Sequence, residues 1–150
     1  MLTSTCQPKT GIRFIRDHVR YTDEIQCAAA RVVAAVRKHA RMKNPGTNPE
    51  GIYDAFHVRR GDFQYKSTRV DAQHILTMAQ KQIPEGATVF IATDERDKSF
   101  FQPLRDHYDV VFLDDFHDEA LIGINTNFYG MIDQLVTTRS RYFFGCWFST

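Results

Sequence analysis

A chain of 150 residues with 43% apolar residues is long enough and apolar enough to bury one domain core, which excludes a disordered tail. A net charge of +1 supplies no global field for nucleic acid, so any anion must be held by locally placed cations. No apolar run is long enough to span a bilayer, and Cys6, Cys27 and Cys146 form neither a metal motif nor a disulfide framework.

Met1 to Thr10 is polar, contains Pro8 and lacks the apolar core of a signal peptide. Residues 1–21 read as an N-terminal extension or interlobe segment, and residues 22–150 as the folded domain. A helix is predicted from Thr22-Asp23-Glu24, a capping hydroxyl followed by acids that favour the positive helix end. Ile25, Ala28, Ala29, Val32, Val36 and Ala40 repeat at helical spacing, and Arg37, Lys38, Arg41 and Lys43 load the far end with cations. After the loop Asn44-Pro45-Gly46, the run Ile52 to Phe56 is predicted to be a buried strand.

Asp71 is expected to cap a second helix with Ile75, Leu76 and Ala79 facing inward, stopped by Pro84-Glu85-Gly86. Thr88 to Ala92 is a second strand, and Phe100, Phe101 and Leu104 mark a third helix. Asp109 to Leu113 is a third strand and Asp114 to Asn125 an acidic loop. Phe128, Met131, Ile132 and Leu135 mark a fourth helix, and Arg141 to Phe144 a fourth strand. Helices alternating with short apolar strands predict an α/β fold: a Rossmann-like parallel sheet with crossover helices. Small hydroxyl residues after the last strand would ordinarily cap another helix, so the domain is expected to be truncated at both ends.

Three strand ends carry groups suited to a phosphorylated ligand. The first gives His57, Arg59 and Arg60, the second Asp94 and Glu95, and the fourth Ser149 and Thr150. In a parallel sheet these ends converge on one edge, where ligands bind. The Arg59 fork suits phosphate oxygens and equally a carboxylate such as Asp62. Arg60 faces the other way if the strand continues, which makes it structural or solvated. Asp62 reads as a turn residue, and Arg60-Gly61-Asp62 as an adhesion tripeptide is set aside because three residues recur by chance.

Asp94 is open to two readings, a cap for the third helix or an acceptor for the two adjacent donors of guanine. Asp133, beside Met131, Ile132 and Leu135, needs a partner, whether a protein arginine or a ligand. Ser149 and Thr150 suit a helix cap or a phosphate. Asp114-Asp115 lacks the further ligands a metal would need. Neither a dinucleotide-binding glycine fingerprint nor a Walker lysine loop is present.

The chain resembles the GDP-fucose protein O-fucosyltransferases. The likeness lies in His57-Val58-Arg59-Arg60-Gly61-Asp62-Phe63, in Ile91-Ala92-Thr93-Asp94-Glu95, and in Met131-Ile132-Asp133-Gln134 followed by Phe143-Phe144-Gly145 and Ser149-Thr150. It covers the chain from about Tyr53 onward and is nearest to the protein O-fucosyltransferase 2-like and plant-type branches. The resemblance implies the C-terminal lobe of a GT-B glycosyltransferase that inverts at fucose without a metal or cofactor, in the lumen of the endoplasmic reticulum or Golgi. The donor substrate would be GDP-fucose, and the acceptor a protein or glycan.

By position, Arg59 would be the catalytic grip on the β-phosphate and His57 would lie near the nucleoside. Asp94 or Asp133 would read guanine, and Ser149 and Thr150 would bind the diphosphate. An N-terminal lobe would be missing from such a chain, leaving it inactive alone. Two rivals remain: a non-catalytic nucleotide- or protein-binding domain, and a related nucleotide-sugar transferase.

Overall fold

The computed structural model of the chain describes residues 20–61 and 70–145. Asp62, Ser149 and Thr150 lie outside the described residues. Helix α1 (Asp23–Lys43) leads into β1 (Asp54–Val58), then α2 (Ala72–Ala79), β2 (Thr88–Thr93) and a 3-10 turn (Lys98–Phe101) running into α3 (Gln102–Arg105). After β3 (Asp109–Phe112) come the short turns Leu113–Phe116, His117–Leu121 and Thr126–Phe128, then α4 (Tyr129–Thr137) and β4 (Phe143–Gly145).

Among the described residues all strand pairs are parallel, in the order β3-β2-β1-β4. Ala55, Phe90, Ala92 and Val111 join α1 and α4 in one core layer through Val32, Val36, Ile132 and Val136. Phe56, Val58, Val89, Ile91 and Val110 point the other way, onto Leu76, Ala79, Phe101 and Leu104. This alternation is what a doubly covered sheet requires. The chain builds outward from β1 to β2 and β3, then crosses back to place β4 on the other side of β1. The order therefore reverses between β1 and β4, and the crevice at their carboxyl ends is the place where open α/β sheets bind ligands.

Two strands start later than expected. Residues 52–56 were predicted for the first, yet Ile52 is exposed and held outside the sheet. The Asn48 amide imitates a strand partner there: its Nδ2 donates to the Ile52 carbonyl at 2.7 Å, and its Oδ1 accepts the Ile52 N–H at 2.7 Å. β1 instead runs on through His57 and Val58, which pair with Ala92 and Thr93. At the other strand, β4 begins at Phe143, although the backbone of Tyr142 and Arg141 already bonds to Ala55 and Tyr53, and Arg141 also forms an ion pair. Its Nε and Nη2 donate to Asp54 at 3.0 and 2.7 Å, and the Tyr142 N–H adds a third bond at 3.1 Å.

Asp54 is 0% exposed, so its charge depends on that fork. Arg141→Met should cost about 3 kcal/mol of stability, because it strands a buried carboxylate without its counter-charge. Urea unfolding measures this, and a double variant that also replaces Asp54 by leucine should recover much of the loss. A loss under about 0.5 kcal/mol for Arg141→Met, the range of ordinary surface changes, would contradict the assignment.

The helix caps divide. The Asp71 carboxylate accepts the His74 N–H at 2.6 Å, as expected. The Thr22 hydroxyl makes no capping bond, and only its carbonyl joins α1, through Gln26. The predicted acidic loop is largely coiled into the turns Leu113–Phe116 and His117–Leu121 and buries Phe116, Ala120 and Leu121. Asp115 is not merely solvated, since it accepts the Phe112 N–H at 2.7 Å and fixes the first of those turns.

Candidate active site

The site forms where β1 ends beside β2. Because Val58 pairs with Thr93, the residues that follow each strand meet. The Thr93 hydroxyl donates to the Val58 carbonyl at 2.6 Å, closing the ladder. One residue later the Asp94 carboxylate accepts the Arg60 N–H at 2.7 Å through Oδ1 and the Gly61 N–H at 2.9 Å through Oδ2. Successive backbone N–H groups of this kind form an anion-binding concavity, and here the protein's own carboxylate fills it. Asp94 is therefore not the cap of the third helix. That role belongs to Asp97, which accepts the Ser99 N–H at 3.0 Å.

Arg60 is structural, although β1 ends at Val58 and the alternation does not extend to it. Its Nε donates to Glu95 Oε2 at 2.9 Å, and its guanidinium carbon lies 3.7 Å over the centre of the Phe100 ring. Glu95 is held below the usual carboxylate range, first by the Asp97 N–H and then by the Arg60 guanidinium. Asp94 and Glu95 thus grip two successive residues of the loop after β1 from opposite sides.

The grip makes a demand on Gly61. A Cβ at that position would meet Asp94 Oδ2 at 2.5 Å, so any side chain displaces the carboxylate from the two amides. Gly61→Ala should leave the global unfolding midpoint within about 1 kcal/mol while raising amide exchange at Arg60 and residue 61. Unchanged exchange at both amides would show that Asp94 does not hold the loop.

Arg59 stands across the loop from Arg60. Its side chain is 48% exposed, with Nε 3.9 Å from Asp94 Oδ2. Strand alternation puts His57 on the face of Ala55, which α1 and α4 cover, and Arg59 follows the last residue of β1. Helix α4 also carries Asp133. The Oδ1 atom of Asp133 is shut off from solvent and has no hydrogen-bond partner. Burial pushes its carboxyl up to about 7; Asp114 raises it further, and Lys98 pulls the other way.

Sequence reasoning therefore identified Asp133 as an acid needing a partner, and no protein arginine supplies one among the described residues. It missed Lys98 and Asp114, which belong to the carboxyl ends of β2 and β3 and complete the charge around that acid. Lys98 lies 4.6 Å over the Phe112 ring and donates to the Glu95 carbonyl at 2.8 Å. The signal available was their position one turn beyond a strand end. No group of three or more metal-ligating side chains gathers among the described residues.

A guanidinium just past the end of β1 and a buried carboxylate oxygen without a partner, near the residues that follow β2 and β3, suit an anionic nucleotide. The family model described as GDP-fucose protein O-fucosyltransferase matches residues 6–150. The chain belongs to that family. The family resemblance read from the three motifs thus holds, and the match also takes in the segment before Tyr53. Neither a curated protein nor a solved structure matches the chain. Family membership makes this a glycosyltransferase chain with GDP-fucose as the family's donor and a protein as its acceptor. Its four-stranded all-parallel sheet is that of a Rossmann-like glycosyltransferase lobe. Among the described residues of this O-fucosyltransferase chain, no helix is long and apolar enough to cross a membrane.

Proposed function

We propose that this chain is the donor-binding lobe of a GT-B O-fucosyltransferase, holding GDP-fucose at the carboxyl edge of β1, β2 and α4. The observation that carries the reading is the buried Oδ1 of Asp133, which has no hydrogen-bond partner and lies within the influence of Lys98 and Asp114 beyond the ends of β2 and β3. Guanine offers N1–H and an exocyclic amine to one carboxylate, whereas adenine and uracil cannot satisfy it in the same way. Asp133 is the guanine acceptor in this reading. Asp94, with both oxygens engaged by loop amides, orients Arg59 and does not touch the base.

Arg59 grips the β-phosphate, His57 lies beside the nucleoside, and Ser149 and Thr150 bind the diphosphate. The reaction moves fucose to a Ser or Thr hydroxyl with inversion, through an oxocarbenium-like transition state. Charge grows on the departing GDP in that state, so a fixed guanidinium stabilises it more than the ground state. The residues of this site require no metal for that role. The base that takes the acceptor's proton belongs to a second lobe, and the work is done in the lumen of the endoplasmic reticulum or Golgi.

Calorimetry of the full-length protein with GDP, ADP and UDP tests the reading. Tighter binding of GDP is expected. Absence of nucleotide binding would instead mark a non-catalytic binding domain, and a preference for UDP a different nucleotide-sugar transferase.

A further inference from the structure

The opposite edge of the sheet carries a recess of its own. A hollow of about 210 Å³ is lined by Arg37, Glu50, Ile52, Tyr53, Arg139 and Arg141, with Ser140 at its rim. Arg37 comes from α1, Tyr53 immediately precedes β1, and Arg139 and Arg141 follow α4 before β4. Tyr53 and Arg141 stand at the start of their strands, whereas Arg59 follows the end of β1. The length of β1 separates the two places by roughly 15 Å at about 3.3 Å per residue.

Three guanidiniums share this hollow, and their counter-charges are unequal. Arg141 has Asp54 in a two-pronged pair. Among the described residues, no carboxylate lies within 4.0 Å of Arg37 or Arg139. Glu50 lines the hollow but makes no ion pair with either. Both arginines act on the same buried phenol: burial pushes Tyr53 up to about 12, and Arg37 and Arg139 each pull against it. The Tyr53 hydroxyl is itself committed, donating to the Val136 carbonyl at 2.7 Å. The phenol is therefore held in place, and both guanidiniums line the same hollow. Gly51 fixes the rim, because its φ of +68° and its approach to the Arg37 carbonyl leave no space for a side chain.

We propose that this recess binds a tetrahedral oxyanion, a phosphate or sulfate group carried as an ester on a small sugar-sized molecule, independently of the donor site. Planar guanidinium forks match such oxygens in pairs, and two arginines without a carboxylate partner gain most from one. Ile52 offers the ester's body an apolar wall. Glu50 disfavours a second negative group, which limits the ligand to one anionic head.

The test is calorimetry on the full chain with inorganic phosphate and inorganic sulfate at constant ionic strength, without and with saturating GDP. Glucose 6-phosphate and N-acetylglucosamine 6-sulfate then distinguish the two ester sources. Saturable binding of at least one of these probes, retained in GDP, is expected. Arg37→Ala combined with Arg139→Ala should weaken it by about tenfold or more, the worth of a charge-assisted contact. Glu50→Gln should tighten it. Both sets of changes are on exposed side chains, and an unchanged melting temperature confirms that the fold is intact. No saturable binding by any of the four probes would overturn the proposal. So would loss of binding when GDP is present, or indifference to the double arginine variant. Because GDP binding is read in the same experiment, failure here is distinct from failure of the donor site.

Discussion

Arg59→Ala is expected to cut fucose transfer from GDP-fucose by the full-length protein roughly 10²–10³-fold while leaving its unfolding midpoint unchanged. The reason lies in the loop. Asp94 and the Arg60–Glu95–Phe100 stack fix the backbone immediately after Arg59, whose own side chain stands 48% exposed. A donor held rigid where charge develops is worth about 2.7–4 kcal/mol of barrier, or roughly 10²–10³ in kcat. Arg59→Lys should rescue little, because a single ammonium cannot reproduce a planar fork. Near-normal turnover by Arg59→Ala would remove Arg59 from the mechanism.

Asp133→Asn is expected to separate stability from function. The folded carboxyl sits at about 7 against an ordinary value of 3.8, so the native state holds its proton more tightly than the unfolded chain. Stability is then complete below about pH 4 and is lost as pH rises towards 7. At 1.36 kcal/mol per unit, the penalty at pH 8 is at most about 4 kcal/mol. Asparagine has no charge to bury, so the variant should be more stable than the parent at pH 8, by an amount that shrinks as pH falls towards 4. The same change should erase the preference for GDP over ADP, since an amide replaces one acceptor with a donor.

Binding adds a second signature. Guanine needs the ionised form, so the GDP-to-ADP affinity ratio of the parent protein should fall as pH drops from 8 to 6, by on the order of tenfold. Phosphate titration affects both nucleotides and cancels in that ratio. A flat ratio, or a variant less stable at pH 8, would count against Asp133 as the reader of the base.

Much of this was legible in the sequence, for identifiable reasons. Apolar runs separated by helical periods gave the parallel sheet, because burial on both faces leaves continuous Val, Ile and Phe stretches such as Val89-Phe90-Ile91. Arg60 was read as structural or solvated, and its pair with Glu95 makes it structural. Asp133 stood out as an acid beside an apolar helix face. What was not legible depended on neighbours. The start of β1 was displaced by one asparagine side chain, Asn48, which no hydrophobic pattern encodes. The role of Asp94 required knowing that β2 lies directly beside β1, so that its carboxylate faces the amides of Arg60 and Gly61. The acidic run after β3 concealed Phe116 and Leu121 as core residues, because short 3-10 and π turns lack a periodicity that sequence can reveal.

The central claim is that the carboxyl edge of β1, β2 and α4 holds GDP. Titrating the ¹⁵N-labelled chain with GDP and following its amide resonances tests it most directly, since even weak binding moves peaks. The account predicts shifts concentrated at residues 57–61, 94–98 and 114 and at Asp133, with Arg37 and Arg139 undisturbed. Shifts centred on the recess at the opposite edge, or none at Arg59 and Asp133 at millimolar GDP, would contradict it.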